Sequence, residues 1–338
     1  MKTILHILNT GEYSGAENVV ITIISNYTED YRGIYMSLQG PIRQVLKKNG
    51  IEFYGVKKLS TGAIREAVNQ LHPDVIHAHD FTASILAAAA TKKIPVISHL
   101  HNNVPWMKKP SVKSFLYRSC IGRLKKILAV SDSVLEECWY GETLKKKSIC
   151  IGNPIDLKRI RSQKCDEIRT DLLFVGRLTE QKNPLEFLEI VRELKNQKIS
   201  VQARMLGQGA LREKCQDYII RYHLEDCVKL QGFVDRPYDY MNKGEILVIP
   251  SNWEGFGLVA VEALAFGMPV VGNPVGGLPG IVTDDCGLLA FDRAKKVREI
   301  SMLFGESGYY RKKSEAALHQ ADQLENINAY MRKIYSVY

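Results

Sequence analysis

Short apolar runs alternate with amphipathic segments through the first half of the chain. The runs predict seven strands, at Thr3–Leu8, Ile34–Ser37, Ile51–Tyr54, Val75–Ala78, Pro95–Leu100, Ile127–Val130 and Ser148–Ile151. Helical spacing predicts helices between them, near Glu17–Tyr27, Ile42–Asn49, Ala63–Leu71, Thr82–Ala90, Val112–Arg118 and Ser133–Tyr140. Strands that alternate with helices are typical of a parallel sheet with crossover connections. Residues 1–155 are therefore predicted to form one doubly wound domain.

The apolar rhythm stops between Gly152 and Thr170, so we place a hinge there. A second series of strands follows, at Leu172–Val175, Val201–Leu206, Val228–Leu230, Ile246–Ile249 and Val270–Val271. Its helices are predicted at Pro184–Leu194, Leu211–His223 and Leu258–Phe266, and residues 311–338 lack turn signals and are predicted as helix. The pattern predicts an α/β protein with two Rossmann-like doubly wound domains, 1–155 and 170–310. We expect them to face a central cleft, because ligands of open α/β sheets bind at the carboxyl ends of the strands.

Composition agrees with two domains, since 338 residues exceed the roughly 250–300 at which single cores stop growing. The seven cysteines are never two or three positions apart, which excludes a zinc pair or a redox pair and is typical of reduced thiols in a cytosolic protein. Polar His6 and Asn9 interrupt the first apolar run, so it predicts a strand and not an export signal. We expect a cytoplasmic protein whose membrane contact, if any, is peripheral.

Positive charge is concentrated in residues 1–150, which hold 20 Lys and Arg against 12 Asp and Glu, whereas the remainder holds 26 against 25. Basic and aromatic residues are mixed at Trp106, Lys108, Lys109, Lys113, Phe115, Tyr117, Arg118, Arg123, Lys125 and Lys126, and basic residues recur at Lys145–Lys147. A surface Lys or Arg contributes about 1 kcal/mol beside an anionic leaflet, so an anionic membrane surface or a phosphate-bearing acceptor is an expected partner. A solvated basic face is the alternative. Nucleic acid is not expected, because no known nucleic-acid module appears.

The most specific pattern lies in residues 250–263, Pro-Ser-Asn-Trp-Glu-Gly-Phe-Gly-Leu-Val-Ala-Val-Glu-Ala. A predicted strand is followed by a glycine-containing loop that presents Glu254 and by a helix that carries Glu262. Carboxylates accept hydrogen bonds from sugar hydroxyls, and backbone N–H groups at a helix start bind ligand oxygens. We expect such N–H groups at Phe256, Gly257 and Leu258. The alternative is an acid that pairs with the helix dipole, together with a surface Glu.

A second candidate binding segment, for phosphate groups, follows the strand predicted at residues 172–175. Arg177 offers a bidentate fork to phosphate oxygens and Lys182 a point charge. Asn183 can cap a helix that begins at Pro184, so the free amides and positive end of this helix would face the same space. A lone Arg-Lys pair at a helix start is usually a surface feature, but beside the glutamate segment these residues predict a diphosphate clamp.

Histidines are concentrated at the ends of two predicted strands, at His77 and His79 and then at His99 and His101. His-x-His pairs can ligate zinc. However, alternate positions of a strand share a face for packing reasons alone, so no metal site is predicted.

These segments resemble the retaining glycosyltransferases of the GT-B fold, family 4 (glycosyl transferases group 1), which are marked by two glutamates separated by seven residues. The resemblance extends over nearly the whole chain. Further matches are Gly176-Arg177 with Lys182, Leu206-Gly207-Gln208-Gly209, Gln231-Gly232-Phe233, Val130-Ser131, Asn153-Pro154-Ile155-Asp156 and the first loop, Gly11-Glu12-Tyr13-Ser14-Gly15.

The resemblance implies transfer of a sugar from a nucleotide-diphosphate sugar, such as a UDP-sugar, to a saccharide or lipid-linked acceptor in cell-surface polysaccharide or glycolipid synthesis, without a metal or other cofactor. It assigns the acceptor to 1–155 and the donor to 170–310, and packs the helix at 311–338 back on the first domain. His101 contacts the sugar, Glu254 orients it and Glu262 holds the ribose. The implied catalytic residues are His101, Glu254, Arg177 and Lys182. The implied donor-binding residues are Gly15, Arg177, Lys182, Gly207, Gly232, Phe233, Glu254, Gly255, Phe256, Gly257, Leu258 and Glu262.

One position departs from the family. The family commonly carries Gly-Gly-x-Pro-Glu, whereas this sequence has Gly276-Gly277-Leu278-Pro279-Gly280. Any contact that the glutamate would make with the sugar donor is therefore missing. A sugar-nucleotide epimerase, a phosphorylase or a non-catalytic subunit of the same fold remains an alternative. An NAD-dependent oxidoreductase would need G-x-G-x-x-G with an acid about 20 residues on, and the first loop lacks that spacing.

Overall fold

The computed structural model describes residues 1–162, 168–234 and 236–338, which divide into two units. The first unit contains Met1–Pro154 and Asn326–Tyr338, and the second contains Ile155–Glu325. The first unit is therefore discontinuous in sequence, and the chain leaves it within the predicted hinge.

The first unit is built on a seven-stranded sheet in which each recorded pairing is parallel. The strands are β1 (Lys2–Ile7), β2 (Tyr31–Leu38), β3 (Glu52–Val56), β4 (Val75–His79), β5 (Val96–Leu100), β6 (Leu124–Ala129) and β7 (Ser148–Cys150). Their order is β3-β2-β1-β4-β5-β6-β7, so the winding direction reverses between β1 and β4. Loops that follow these two strands diverge at this point, which is where open α/β sheets bind ligands.

The helices of this half are α1 (Gly15–Ser25), α2 (Ile42–Lys48), α3 (Thr61–Leu71), α4 (Asp80–Ala90), α5 (Val112–Cys120), α6 (Asp132–Glu136) and α7 (Gly141–Lys145), with 3-10 turns at Pro105–Met107 and Ile121–Arg123. The helix predicted over Ser133–Tyr140 is too long, because α6 ends at Glu136 and the next helix begins only at Gly141. The backbone N–H of Trp139 donates to the carbonyl of Met107 at 3.0 Å. This long-range bond takes the place of an intrahelical one.

The second unit repeats the winding with six strands, and each recorded pairing is again parallel. They are β8 (Thr170–Val175), β9 (Ala203–Leu206), β10 (Val228–Gly232), β11 (Gly244–Ile249), β12 (Val270–Gly272) and β13 (Gly287–Leu289), in the order β10-β9-β8-β11-β12-β13. Both faces of β8 are buried. Leu172 and Phe174 belong to one apolar cluster and Leu173 to the other, which explains the continuous apolar run of this strand.

The helices of the second unit are α8 (Leu157–Arg161), α9 (Pro184–Asn196), α10 (Arg212–Arg221), α11 (Tyr238–Met241), α12 (Leu258–Ala265), α13 (Arg293–Gly305) and α14 (Ser307–Leu324), with a 3-10 turn at Leu278–Gly280. The sequence did not predict α8, α11, α13 or β13. Three of these elements have five residues or fewer. Helix α13 has a side-chain cap, because Asp292 accepts from the backbone N–H of Ala294 at 2.8 Å. An Asp at the start of a helix is a signal that the sequence itself contains.

The last helix is α15 (Ile327–Val337), and the prediction of one helix over 311–338 is wrong. Residues 311–324 continue α14 in the second unit, whereas α15 belongs to the first. The break lies at Asn326, whose side-chain amide donates to the carbonyl of Asn153 at 3.0 Å. On α15, Tyr335 stacks on Tyr31 with ring centroids 4.6 Å apart.

The fold prediction is otherwise confirmed, since the described residues form two Rossmann-like doubly wound domains.

Candidate functional site

Two loops of the second unit meet because β8 and β11 are neighbours in the sheet. One loop carries Arg177 to Lys182 after β8, and the other carries Ser251 to Glu254 after β11. The backbone N–H of Asn252 donates to the carbonyl of Gln181 at 2.8 Å, and the Gln181 amide donates to the carbonyl of Trp253 at 3.2 Å. The predicted clamp and the predicted glutamate loop are thus one hydrogen-bonded structure at the point where the winding reverses.

Within this structure, Lys182 and Glu254 form an ion pair. Lys182 Nζ lies 2.5 Å from Glu254 Oε1, and Ser251 donates its hydroxyl to the same oxygen at 2.7 Å. Their side chains are 19% and 6% exposed. Two residues assigned to different parts of the ligand are therefore in direct contact.

Arg177 is exposed beside this pair. Its Nη2 donates to Gln181 Oε1 at 3.2 Å. Because Gln181 is itself held by Trp253, the guanidinium is fixed on one edge while the arginine stays accessible. This arrangement can present a bidentate donor to an anion.

The predicted side-chain cap of α9 is wrong. Asn183 precedes the helix with φ 48°, in the left-handed region, and its side chain makes no capping bond. Its amide donates instead to Glu186 Oε2 at 2.8 Å. The Asn183 side chain therefore contacts a carboxylate of the first helical turn and not the backbone N–H groups of that turn.

Glu186 belongs to a buried polar network that the sequence did not predict. It pairs with Lys296 of α13, whose side chain is fully buried. Lys296 also donates to Asn273 Oδ1 at 2.5 Å, and the Asn273 amide donates to the carbonyls of Pro250 at 3.1 Å and Ser251 at 3.2 Å. The network joins the start of α9 to the base of the Glu254 loop. No short-range signal in the sequence connects residues this far apart.

The turn of Gly207 follows β9 beside β8. A Cβ at Gly207 would lie 2.0 Å from the carbonyl oxygen of Gly176, and φ is +136°, so only glycine fits. The N–H of Gly207 donates to the carbonyl of Gly232 at 2.7 Å. Phe233, the next residue, is 51% exposed. Gly207, Gly232 and Phe233 thus lie on neighbouring loops at the carboxyl edge.

The loop at 276–280 packs on the Glu254 loop. A Cβ at Gly276 would lie 1.9 Å from the carbonyl oxygen of Glu254, and the N–H of Gly277 donates to the carbonyl of Gly255 at 3.1 Å. In contrast, no described heavy atom lies within 4 Å of a Cβ built at Gly280. The structure has room for a side chain where the family commonly carries Glu.

Helix α12 begins at Leu258 after Gly257, which has φ +101°. Its second turn presents Glu262, which accepts a hydrogen bond from the Tyr238 hydroxyl at 2.9 Å. Burial raises the pKa of Glu262 to about 7, although the Tyr238 hydrogen bond and the charge of Arg159 lower it. Glu262 is therefore a titrating carboxylate near neutral pH.

In the first unit, Gly15 is the first residue of α1, and a Cβ there would meet no described atom within 4 Å. Beside it, Ser14 donates to the buried Glu17 at 2.5 Å. Burial raises the pKa of the Glu17 carboxyl, and the nearby Asp80 raises it further. Asp80 accepts from the backbone N–H of His101 at 2.9 Å. Glu17 closes the first-loop motif Gly11 to Glu17 but was given no role, and the sequence analysis missed Asp80, for which no motif gave a signal.

His101 follows β5 and is part of a cluster of five histidines on one face of the first sheet. Burial lowers the pKa of His101 to about 3 and that of His6 likewise to about 3. Two groups of three could hold a metal ion, namely His6, His77 and His79, or His79, His99 and His101. Their ring nitrogens are instead largely engaged with one another and with tyrosines.

The basic segment of the first unit is only partly a surface. Tyr117 is fully buried, which contradicts its place in a surface mixture, and Lys108 pairs with Glu137 at 2.9 Å. Helix α5 nevertheless exposes an apolar face beside these lysines, formed by Val112, Phe115 and Leu116. Among the described residues, no helix combines the length and apolar character needed to cross a membrane.

Two family models match this protein, each over a different half of the sequence. The model "Glycosyltransferase Family 4" matches residues 13–159, and "Glycosyl transferases group 1" matches residues 158–304. An uncharacterized glycosyltransferase of Methanocaldococcus jannaschii is 29% identical over 294 residues, covering 84% of this chain and 75% of its own. A putative teichuronic acid biosynthesis glycosyltransferase of Bacillus subtilis, TuaC, is 27% identical over 267 residues, covering 74% and 64%. Among solved structures, Anabaena HepE in complex with UDP and glucose superposes with a TM-score of 0.85 at 20% identity over 98% of both chains.

Proposed function

The chain belongs to the GT-B glycosyltransferases of the group 1 and family 4 type, and from this premise we propose that it moves a sugar from a UDP-sugar to a saccharide or lipid-linked acceptor with retention of anomeric configuration. The observation that carries the proposal is the joined pair of loops at the ends of β8 and β11. They bring an accessible arginine, a lysine and a carboxylate to one place. UDP is the proposed nucleotide because HepE, a structural neighbour, binds UDP and glucose.

In this reaction the bond between the anomeric carbon and the diphosphate breaks, and negative charge develops on the leaving group. Arg177, Lys182 and the N–H groups that begin α9 and α12 stabilise this charge, because preorganised donors act most strongly where charge develops. Glu254 orients the sugar, Glu262 accepts from the ribose, and His101 contacts the sugar. With two cations for the diphosphate, the proposed reaction needs no metal. Full activity after EDTA treatment is the expected result, and complete loss that added metal restores would contradict this part.

The test of the donor is a thermal stabilisation screen with UDP-, GDP- and ADP-sugars. A ligand at 100 times its dissociation constant adds about 2.7 kcal/mol to stability. We expect UDP-sugars to raise the melting temperature. Sugar release from the UDP-sugar that stabilises most, in the presence of a lipid-linked acceptor mixture, then tests transfer. Stabilisation by none of the three classes would contradict the proposal.

We also propose that α5 binds an anionic membrane surface that carries the acceptor. Charge complementarity supports this occupant, since the exposed Lys109 and Lys113 shortly precede the exposed Phe115 and Leu116 in the sequence. A helix that is basic on one side and apolar on the other lies in the headgroup region of a bilayer. TuaC is a putative teichuronic acid biosynthesis enzyme, which supports a cell-surface polymer as the product.

The membrane proposal is tested by vesicle co-sedimentation. Replacing Lys108, Lys109 and Lys113 with Gln should weaken binding to anionic vesicles, and binding should fall steeply with salt because charges are screened within about 8–10 Å. Phe115→Ser should weaken binding at every salt concentration. Ile220→Ser is the matched control, since Ile220 is 53% exposed on the second unit. Equal binding to neutral and anionic vesicles, or an equal loss in the control, would contradict the proposal.

A further inference from the structure

The five clustered histidines come from three adjacent strands of the first sheet. His6 pairs in register with His77, and His79 with His99. Because alternate residues of a strand share a face, all five rings lie on one side of the sheet. Their rings stack, and those of His99 and His101 have centroids 4.2 Å apart.

Hydrogen bonds join these rings and two tyrosines into one unbranched chain of seven residues. On one side, His101 Nε2 lies 2.8 Å from His79 Nδ1, and His79 Nε2 lies 3.0 Å from His6 Nδ1. His6 Nε2 lies 2.7 Å from the Tyr27 hydroxyl. The order along the chain is His101, His79, His6, Tyr27, Tyr338, His77 and His99.

The other side continues through Tyr338, the residue that follows α15. The hydroxyls of Tyr27 and Tyr338 are 2.6 Å apart, and Tyr338 lies 2.8 Å from His77 Nδ1. His77 Nε2 lies 3.2 Å from His99 Nδ1. Eight of the ten ring nitrogens are engaged in these links. The remaining two, His99 Nε2 and His101 Nδ1, are buried without a partner among the described residues.

Each imidazole in such a chain is neutral, since burial lowers the pKa of all five histidines. A neutral imidazole has one donor and one acceptor nitrogen. The direction of hydrogen bonding is therefore transmitted through every ring. Each of the seven residues carries one proton that can be donated, and the six hydrogen bonds use six of these protons. When all the hydrogen bonds run in one direction, the seventh proton remains as an N–H at one end.

The burial of the two ends indicates which direction is preferred. His99 is completely buried, whereas His101 is only partly buried. Buried N–H groups without partners are rarer in proteins than under-satisfied acceptors. Both end nitrogens are buried, but His101 is the less buried of the two residues. The N–H is therefore better placed on His101, with the bare acceptor on His99.

We propose that this chain of hydrogen bonds fixes His101 in the tautomer that presents Nδ1–H. Tyr27, His6 and His79 are then positioning residues for His101. In this direction every histidine carries its proton on Nδ1, and Tyr27 donates to His6. The effect on catalysis rests on the proposed function, in which His101 contacts the sugar. The assignment of the tautomer does not depend on the proposed function.

The first test is a long-range ¹H–¹⁵N spectrum of the protein with ¹⁵N-labelled histidine, which distinguishes protonated Nδ1 from protonated Nε2. We expect protonated Nδ1 at all five histidines in the unmodified protein. A protonated Nε2 at His101 would overturn the proposal without any mutation. So would a stoichiometric transition metal on the cluster, because ligation would replace the N···N links.

The second test compares two tyrosines within the chain. Tyr27→Phe removes the donor to His6, so His101 should populate both tautomers. Turnover should fall about 2- to 10-fold, the factor that one hydrogen bond controls, at unchanged KM for the donor. Tyr338→Phe leaves the link from Tyr27 to His6 in place, so it should alter His77 and His99 but not His101. An effect of Tyr338→Phe on His101 equal to that of Tyr27→Phe would overturn the proposed direction.

Tyr335→Phe is the matched control, because Tyr335 also lies on α15 but donates to the carbonyl of Asn26 at 2.9 Å, outside the chain. It should leave all five histidine signals in place. An unmodified protein with the expected spectrum but no transferase activity would refute the proposed function alone. An active enzyme whose histidine spectrum is unchanged by Tyr27→Phe would refute the tautomer proposal alone.

Discussion

Replacing Glu254 with Gln should tighten the binding of UDP while it lowers turnover. The two effects have opposite signs because Glu254 both orients the sugar and occupies Lys182. Lys182 Nζ lies 2.5 Å from the carboxylate, so a diphosphate must compete with that carboxylate for the cation. The neutral amide removes the competing charge and its repulsion of the ligand.

The size of this effect follows from the geometry of the pair. A hydrogen bond to a charged group contributes about 1.5–3 kcal/mol. The lower limit applies here, since Lys182 is 19% exposed and the introduced amide oxygen can still accept from it. We therefore expect UDP to bind roughly tenfold more tightly, at about 1.4 kcal/mol per factor of ten. Turnover should fall on the order of 10²-fold, as for the loss of one oriented polar group.

Calorimetric titration with UDP measures the first effect and steady-state transfer the second. Glu180→Gln is the control, because Glu180 is an exposed acid on the same loop and reports the long-range loss of one negative charge. Lys182→Met should weaken UDP, and Glu254→Gln added to it should tighten UDP less than it does in the unmodified protein, because only the repulsion by the carboxylate remains to be removed. Unchanged or weaker UDP binding by Glu254→Gln in a folded protein would refute the competition between carboxylate and diphosphate.

Three further predictions concern the same unit. Arg177→Ala should weaken UDP by about 1.5–3 kcal/mol and lower turnover strongly, and unchanged affinity by calorimetry would contradict the clamp. UDP affinity should rise from pH 6 to pH 8, because the pKa of Glu262 is raised to about 7 and the ionised carboxylate accepts a stronger hydrogen bond from the ribose than the protonated acid does. Glu262→Gln should remove this rise, and an identical pH profile would contradict the role. Lys296→Met should lower the free energy of unfolding of the second unit by about 3–5 kcal/mol, since it leaves the partly buried carboxylate of Glu186 without its cation. Denaturant titration should show almost no change for the exposed Lys295→Met, and equal losses would contradict the network.

Much of the fold was predictable because most strands are short, apolar and separated from the next by a helix of clear period. The errors occurred where long-range contacts decide local structure. The N–H of Trp139 bonds to Met107 and interrupts a helical pattern, and Asn326 bonds to Asn153 and separates α14 from α15. Neither contact leaves a periodic signal near the residue that it affects.

The candidate site was predictable as a set of residues but not as a set of contacts. Spacing singled out Arg177, Lys182 and Glu254, and the sheet order explains why their loops meet. The ion pair between Lys182 and Glu254 depends on the positions of side chains across two loops. Lys296 could not be found either, since a lysine on a helix is usually exposed. The roles of these residues stay predictions.

The discontinuity of the first unit affects how the protein is made. During synthesis, Ile155–Glu325 leaves the ribosome as one uninterrupted stretch and can fold as a unit. Most of the first unit is synthesised earlier but lacks α15 until Ile155–Glu325 has been made, so Tyr27 and His77 cannot bond to Tyr338 before then. The half of the protein that begins first is thus the last to be completed, and the histidine chain can close only after the other half has been translated.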